Sequence, residues 1–346
     1  MQAATALDAL PRVDLGSWPT VLERASRLGT VLDCDELWLK RDDLSGFSWG
    51  GNKVRTVEYL LGDALARGAT EIVLAGGPSS NFAALMAAGA RSVGLGVHQI
   101  SYGREPDHDV AALVEGRRLG TNVVFTGSPD RSAMEDVAER HAADRSRAGQ
   151  VPYLVPRGGA SDVGALGFFA AARELEAQVV AEQSAAGTSG VGRVPSAVVI
   201  PLGSGGSVAG LVAGLCLSTR EWLVHAVSVS RDPESITEPI VNTSIRCAAL
   251  VGVTLRPDEI FARLQIHDGR APGFGEVSAA QQALMGEVTG ATGLLVDPTY
   301  NAKAMAWMRD ANRRDTLGGQ PAIYWHTGGA LGAFDHSRVL ERNPTP

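Results

Sequence analysis

Short apolar runs alternate with stretches of helical periodicity along most of the chain, and this alternation constrains the fold more than any other feature. Apolar residues recur at helical spacing over 54–65, and the apolar run 71–77 then predicts a buried strand. Further strands are predicted over 93–100, 122–127, 196–206, 224–230, 293–298 and 321–329, and further helices over 82–90, 109–120, 165–183 and 208–217. The pattern indicates an α/β protein with parallel sheets flanked by helices, whose ligands bind at the carboxyl ends of the strands. The glycine-rich segment 184–196 is expected to be a surface loop.

Charge and cysteine content exclude several classes of protein. The net charge of −7 argues against nucleic acid or an anionic membrane as the main partner. No apolar run reaches membrane-spanning length, and the N-terminal residues lack the basic and apolar segments of a secretion signal. Cys34, Cys216 and Cys247 are far apart in the sequence, so neither a disulfide framework nor a metal site is predicted. A reducing, cytoplasmic location is therefore expected, and the 346 residues suffice for one or two domains.

Lys53 is the first residue with a chemical signature. It stands at the start of a predicted helix, directly after Gly50, Gly51 and Asn52. Cations usually avoid this positive end of a helix, so a lysine there has a reason to lose its proton. A neutral amine is the nucleophile that attacks a carbonyl group, and the two glycines allow a ligand to approach the backbone closely. On position alone, a solvated surface lysine is the alternative.

A glycine-rich turn, residues 203–207, follows a predicted strand and leads into a helix. Such a turn presents backbone N–H groups and a hydroxyl to an anion such as phosphate. A dinucleotide fingerprint would need glycine where Val208 stands, and an acidic residue near the end of the strand 224–230. A P-loop would need a lysine that the turn lacks. A single phosphate therefore fits best, and a tight turn without a ligand is the open alternative.

A third turn follows the predicted strand 71–77 and is polar. It offers two hydroxyls and an amide, from Ser79, Ser80 and Asn81. Because it also follows a strand, it belongs with the other two turns as a candidate ligand site. Capping of the next helix would equally explain the two serines.

Together, these turns and the motifs around them resemble the 1-aminocyclopropane-1-carboxylate (ACC) deaminase and D-cysteine desulfhydrase family. The motifs run in the family's order from about residue 36 to 332. They are KRDD at 40–43, GGNKVR at 50–55, GGPSSN at 76–81, GSGGSVAGL at 203–211, DPTYNAKA at 297–304 and WHTGG at 325–329. The resemblance implies a two-domain enzyme of the tryptophan synthase β type (fold type II) that depends on pyridoxal 5'-phosphate (PLP). It also implies a large PLP-binding domain of residues 1–55 and 165–346, a small domain of residues 56–164, and a homodimer.

The same resemblance assigns roles to single residues. Lys53 would carry PLP, and Asn81 would hydrogen-bond the ring hydroxyl of the cofactor. Ser80 would contact the substrate carboxylate, Tyr300 would act beside it as a second acid or base, and Thr327 would lie near the pyridine nitrogen. The phosphate would be held by Gly203, Ser204, Gly205, Gly206 and Ser207.

Three positions depart from the family's pattern. Phe82 stands where the family has glutamine or histidine, and Phe274 aligns with a second active-site tyrosine of the deaminases. Asn301 stands where the deaminases have a glutamate and the desulfhydrases a threonine, near the pyridine nitrogen. The two aromatic substitutions predict a substrate that is less polar beyond Cα, or cationic there, because aromatic faces attract cations. They also predict poor activity on ACC.

The resemblance therefore predicts a PLP-dependent lyase or deaminase that acts on a small amino acid by α,β- or γ-elimination. One alternative is a ring-forming enzyme of specialised metabolism that uses a sulfonium amino acid such as S-adenosylmethionine. The alternative from another class is a PLP-binding protein without turnover, which the presence of Lys53 and Tyr300 disfavours. A dinucleotide-dependent oxidoreductase is disfavoured by the glycine spacing described above.

Overall fold

The computed structural model describes residues 2–186 and 194–342. Its helices are α1 (Gln2–Asp8), α2 (Ser26–Val31), α3 (Lys53–Ala66), α4 (Asn81–Ser92), α5 (Ala111–Arg118), α6 (Ala133–Arg147), α7 (Asp162–Ala186), α8 (Gly206–Leu215), α9 (Pro233–Leu250), α10 (Pro257–Phe261), α11 (Ala279–Thr292), α12 (Asn301–Arg313) and α13 (Ala330–Arg342). Its strands are β1 (Leu22–Arg24), β2 (Leu37–Arg41), β3 (Glu71–Ala75), β4 (Gly96–Ser101), β5 (Asn122–Phe125), β6 (Pro152–Val155), β7 (Ala197–Leu202), β8 (Leu223–Ser228), β9 (Leu264–Asp268) and β10 (Ala322–His326). No helix in these two ranges is long and apolar enough to cross a membrane.

The larger sheet has six strands in the order β1-β2-β10-β7-β8-β9. All neighbours are parallel except β1, which pairs antiparallel with β2. Successive residues of β7 point to opposite faces, so Val198 and Ile200 pack with α7, α8 and α9, whereas Val199 packs with α2, α11 and α12. Both faces are thus buried by helices, as parallel sheets require.

The smaller sheet has four parallel strands in the order β5-β4-β3-β6. One face packs against α3 and α4 through residues such as Ile72 and Leu74 of β3. The other face packs against α6, where Val73 and Ala75 meet Met134. The predicted α/β architecture, with parallel sheets flanked by helices, is therefore confirmed.

Helix α3 contributes to the cores around both sheets. Its residues Val57 and Leu61 belong to the apolar cluster of the smaller sheet. Tyr59 belongs to the cluster of the larger sheet, with Phe168 and Phe169 of α7. The helix therefore lies between the two sheets, and Lys53 is its first residue.

The predicted strand over 293–298 is wrong, because residues 293–297 form no regular structure. Gly293 ends α11 in a left-handed conformation with φ of 72°. The Asp297 carboxylate then accepts backbone N–H bonds of 2.8–3.1 Å from the next turn, including one from Tyr300. Leu294 and Val296 still reach the core, so the apolar run reflects burial without a strand partner.

The other predicted strands correspond to β3, β4, β5, β7, β8 and β10, and the predicted helices to α3, α4, α5, α7 and α8. Strands β1, β2, β6 and β9 were not predicted; β1, β6 and β9 lie at sheet edges, whereas β2 lies inside the larger sheet between β1 and β10. The predicted loop 184–196 differs at its start, because α7 continues to Ala186. Residues 194–196 are irregular, and 187–193 lie outside the described residues.

Candidate active site

A cleft of about 550 Å³ lies between the two sheets. Its walls are the segments that follow β3, β4, β5 and β6 on one side and β7, β8, β9 and β10 on the other. The carboxyl ends of both sheets therefore open into the same space, where α/β proteins bind their ligands. Of the residues selected from sequence, the following line it: Lys53, Ser79, Ser80, Asn81, Phe82, Gly203, Ser204, Gly205, Ser207, Phe274, Tyr300 and Thr327.

The amine of Lys53 faces this cleft. Its Nζ lies 3.4 Å from the Ser207 Oγ and 3.5 Å from the carbonyl oxygen of Gly158. Burial removes water from the ammonium group and lowers the pKa of Lys53 to about 8. A substantial fraction of a neutral amine is therefore present near physiological pH, as nucleophilic attack on a carbonyl requires.

The other two lysines of the chain are engaged elsewhere. Lys40 is fully buried and donates to the Glu174 carboxylate and to the Thr20 carbonyl. Lys303 donates to the backbone carbonyls of Arg270 and Gly273. Neither Lys40 nor Lys303 lines the cleft, so Lys53 alone among the chain's lysines offers an amine there.

Asn52 connects the turn before Lys53 to two neighbouring segments of the cleft. Its side-chain amide donates to the Ser207 hydroxyl at 3.1 Å, and its backbone N–H donates to the Thr327 carbonyl at 3.1 Å. The turn before Lys53 is thereby joined both to the 203–207 turn and to the end of β10. The sequence motif contains Asn52, but only the structure reveals these two bonds.

The 203–207 turn forms a cradle at the start of α8. Gly205 has φ of 98°, a left-handed conformation that disfavours any side chain. A Cβ at position 203 would lie 3.1 Å from the Tyr300 ring, so a side chain there would crowd the cleft. The first N–H groups of a helix have no partner within it, and they suit an anion. Gly206 is the exception among the selected residues of the turn, because it faces Ala160 and does not line the cleft.

The polar turn after β3 combines capping with exposure to the cleft. The Ser80 Oγ accepts the Ala83 N–H at 3.2 Å and so caps α4, which leaves its own O–H available as a donor. Gln99 of β4, which the sequence analysis missed, donates to the carbonyls of Gly76 and Gly77 and holds the turn. Phe82 lines the cleft with little exposure and packs mainly in the core of the smaller sheet.

Tyr300 immediately precedes α12 and lines the cleft beside Gly203. Burial, reinforced by the negative charge of Asp297, raises the pKa of the Tyr300 hydroxyl to about 12, although the charge of Arg131 acts in the opposite direction. The hydroxyl therefore keeps its proton at neutral pH and can donate it.

Asn301, which was expected to contact the cofactor ring, is not among the residues that line the cleft. Its side chain is fully buried, and its amide nitrogen donates to the Asp297 carboxylate at 2.7 Å and to the Gly328 carbonyl at 2.8 Å. Its amide oxygen accepts the Tyr324 hydroxyl at 3.0 Å. The same oxygen also accepts the backbone N–H of Thr327 at 3.4 Å, so Asn301 helps to position Thr327, which lines the cleft and is the candidate near the pyridine nitrogen.

Arg131 is a cleft residue that sequence reasoning missed. Its guanidinium carbon lies 4.1 Å from the centroid of the Phe274 ring and 5.2 Å from that of Tyr102. Phe274 in turn meets the Tyr300 ring edge-on at 6.2 Å between centroids. Arg131 follows the predicted strand 122–127, which was the available signal for its position.

The cleft fits PLP. It combines an amine of lowered pKa with a glycine cradle at a helix N-terminus, which suit the aldehyde and the phosphate of that cofactor. In the described ranges, no group of three His, Cys, Asp or Glu side chains is arranged to hold a metal ion.

Comparisons with known proteins agree with this chemistry. Residues 13–328 match the model of a family described as pyridoxal-phosphate dependent enzymes. A D-cysteine desulfhydrase of Yersinia enterocolitica is 33% identical over 339 residues, covering 95% of this chain and 96% of the relative. A mitochondrial bifunctional D-cysteine desulfhydrase/ACC deaminase of Arabidopsis thaliana is 29% identical, covering 93% of this chain and 79% of the relative. The crystal structure of an ACC deaminase homologue matches with a TM-score of 0.86 and 29% identity, covering 99% and 98% of the two chains.

Proposed function

The chain belongs to the family of pyridoxal-phosphate dependent enzymes, and from this premise we propose that it is a lyase or deaminase that removes a substituent from Cβ or Cγ of a small amino acid. The observation that carries the proposal is the meeting of the Lys53 amine, the 203–207 cradle and the Tyr300 hydroxyl in one cleft. The names of the relatives support elimination from Cβ and ring opening as the two nearest reactions. No feature of the described residues favours ring formation or binding without turnover.

The proposed roles in cofactor binding come from the resemblance to the family, and the positions of these residues in the cleft support them. Lys53 would carry PLP, since its amine loses a proton readily. The 203–207 turn would hold the phosphate through its backbone N–H groups and the hydroxyls of Ser204 and Ser207. Asn81 would hydrogen-bond the ring hydroxyl. When bound, PLP withdraws electrons from Cα of an amino acid and so makes the Cα proton easier to remove.

Proton movement is the task of two side chains in this proposal. Ser80 would orient the substrate by donating its O–H to the carboxylate. The Lys53 Nζ, once neutral, would accept the proton from Cα. The Tyr300 hydroxyl, which stays protonated at neutral pH, would donate a proton to the departing substituent.

Chemical trapping tests the assignment of Lys53. Borohydride reduction of the purified holoprotein fixes PLP to the lysine that carries it, and mass mapping of peptides then locates the label. We expect the label on the peptide that contains Lys53. A label on Lys40 or Lys303, or on no lysine, would refute the assignment. Assays of 2-oxo acid release from D- and L-amino acids would then test the reaction class.

We also propose the domain division into residues 1–55 with 165–346 and residues 56–164. The strands of the larger sheet fall in the first group and those of the smaller sheet in the second, which supports this division. The resemblance to the family is the support for a homodimer, and the reduced cysteines are compatible with the cytoplasm. Light scattering coupled to size exclusion would test the homodimer, and fractionation of cells would test the location.

A further inference from the structure

The guanidinium of Arg131 is held in the cleft by aromatic rings. It lies over both Phe274 and Tyr102, at 4.1 and 5.2 Å from the ring centroids. The loops that carry Tyr102 and Arg131 are joined by backbone bonds from Gly103 to Ser128 at 2.6 Å and from Gly127 to Gly103 at 2.8 Å. An arginine stacked on rings in this way is oriented before a ligand arrives, with its N–H groups directed along the guanidinium plane.

Arg131 has no acidic partner within the described part of the chain. Its Nε is buried without a hydrogen-bond partner, and no ion pair joins its guanidinium to a carboxylate. The adjacent Asp130 is engaged by the N–H and hydroxyl of Ser132. A buried donor without a partner is costly, which favours a ligand that supplies the missing acceptor.

The cofactor phosphate is not the natural partner of Arg131. Two other arginines, Arg157 and Arg231, line the cleft as well, and unlike Arg131 they also border the other side of the 203–207 turn, together with Ser204 and Gly205. Arg157 is paired with Glu135 at 2.9 Å. Arg131 does not border that side, and it stands with Phe274 and Tyr102 near the Tyr300 ring, where the substrate would lie.

We propose that Arg131 binds an oxyanion on the side chain of the substrate, so that the enzyme acts on an amino acid whose side chain ends in a carboxylate, sulfonate or phosphate. This rests on the proposed function and specifies the substrate class of that same cleft. A bidentate contact between a guanidinium and an oxyanion is both strong and directional. The proposal reverses the expectation of a cationic substrate, because the Phe274 ring that would attract a cation already faces the cation of Arg131.

Pairs of ligands that differ only in side-chain charge test this inference. Aspartate and asparagine, glutamate and glutamine, and O-phosphoserine and serine are titrated into the holoenzyme, in both enantiomers. The change in cofactor absorbance gives a dissociation constant that does not depend on turnover. We expect the wild-type enzyme to bind the acidic member of at least one pair about 10- to 100-fold more tightly than the neutral member.

Variants test whether the preference for acidic ligands depends on Arg131. Arg131→Gln should remove that preference while changing the affinity for the neutral member less than about threefold. Arg131→Lys should keep part of the preference, because the charge remains and the planar fork is lost. Arg140→Gln removes an exposed positive charge from α6 and should leave all affinities unchanged.

Three outcomes would overturn the inference. One is a wild-type enzyme that binds acidic and neutral members equally. Another is an equal loss for both members in Arg131→Gln, which would place Arg131 at the α-carboxylate or in packing. The third is a similar loss in Arg140→Gln, which would indicate general charge attraction. Failure of the proposed function is distinguishable, because then no amino acid, acidic or neutral, would release a 2-oxo acid.

Discussion

Replacing Lys53 by methionine is expected to stabilise the PLP-free protein, although it abolishes activity. Burial lowers the pKa of Lys53 from 10.5 to about 8, which means that the folded protein disfavours the charged amine. At about 1.4 kcal/mol per tenfold change in the equilibrium, the full shift corresponds to roughly 3 kcal/mol. Since the side chain is only partly shielded from water, we expect Lys53→Met to raise the free energy of unfolding by about 1–3 kcal/mol at pH 7.

The gain in the free energy of unfolding that Lys53→Met brings is expected to depend on pH. Below pH 8 the amine is charged in the folded and in the unfolded chain, so the wild-type protein bears the whole cost. Between pH 8 and 10.5 the unfolded chain binds more protons, so the wild-type protein gains stability as the pH rises. The advantage of Lys53→Met should therefore shrink over this interval and vanish above it.

Urea unfolding of the PLP-free proteins, followed by circular dichroism at pH 7 and pH 9.5, measures the difference. Methionine has nearly the length of the lysine stem, so packing changes little. Arg140→Met, which removes an exposed cation from α6, serves as the control and should change stability by less than about 0.5 kcal/mol. A variant that is less stable than the wild-type protein at pH 7, or a difference that does not fall with pH, would refute the reasoning.

Four further predictions concern the cleft. Gly205→Asp should reduce PLP affinity far more than Ser207→Ala, because the aspartate puts a negative charge and a side chain into the phosphate cradle, whereas Ser207→Ala loses one charge-assisted hydrogen bond of about 1.5–3 kcal/mol. Equilibrium titration of PLP compares the two variants, and equal affinities would show that the phosphate does not bind in this turn. Tyr300→Phe should retain PLP absorbance and slow turnover by about 10²–10⁴-fold, and normal turnover would make Tyr300 a packing residue. Asn301→Ala should destabilise the protein by about 2–4 kcal/mol in urea, since buried partners lose their bonds; a neutral result would contradict the network. ACC, which has no second oxyanion, should be turned over with a kcat/KM at least about tenfold below that of the best acidic amino acid, and efficient ring opening would contradict this expectation.

The three turns could be predicted from sequence because their chemistry lies in contiguous residues. The glycines before Lys53 and those of the 203–207 turn each indicate a tight turn in the backbone. The order of strands and helices then places both turns at the carboxyl edge of the larger sheet. Asn301 could not be assigned in this way, because position next to Tyr300 does not determine the direction of a side chain at the start of a helix. Arg131 depends on contacts with Tyr102 and Phe274, which are distant in sequence and meet only in the fold.

The strand predicted over 293–298 failed for a related reason. An apolar run records that residues are buried, but strand formation also requires a neighbouring strand with open hydrogen-bonding groups. Here Gly293 and the Asp297 carboxylate direct the backbone into turns at both ends of the run. The edge strands β1 and β9 have strand partners but no continuous apolar run, because their residues are partly exposed. They were therefore not predicted.

The position of α3 has a consequence for how the molecule folds. Because Val57 and Leu61 complete one core and Tyr59 completes the other, neither sheet can lose its packing without exposing a face of this helix to water. The two sheets and the helices packed on them are therefore expected to unfold in a single cooperative transition and not one after the other. The same coupling means that the amine of Lys53 can reach its place in the cleft only once both halves have assembled, so the capacity to take up the cofactor arises late, with the last step of folding.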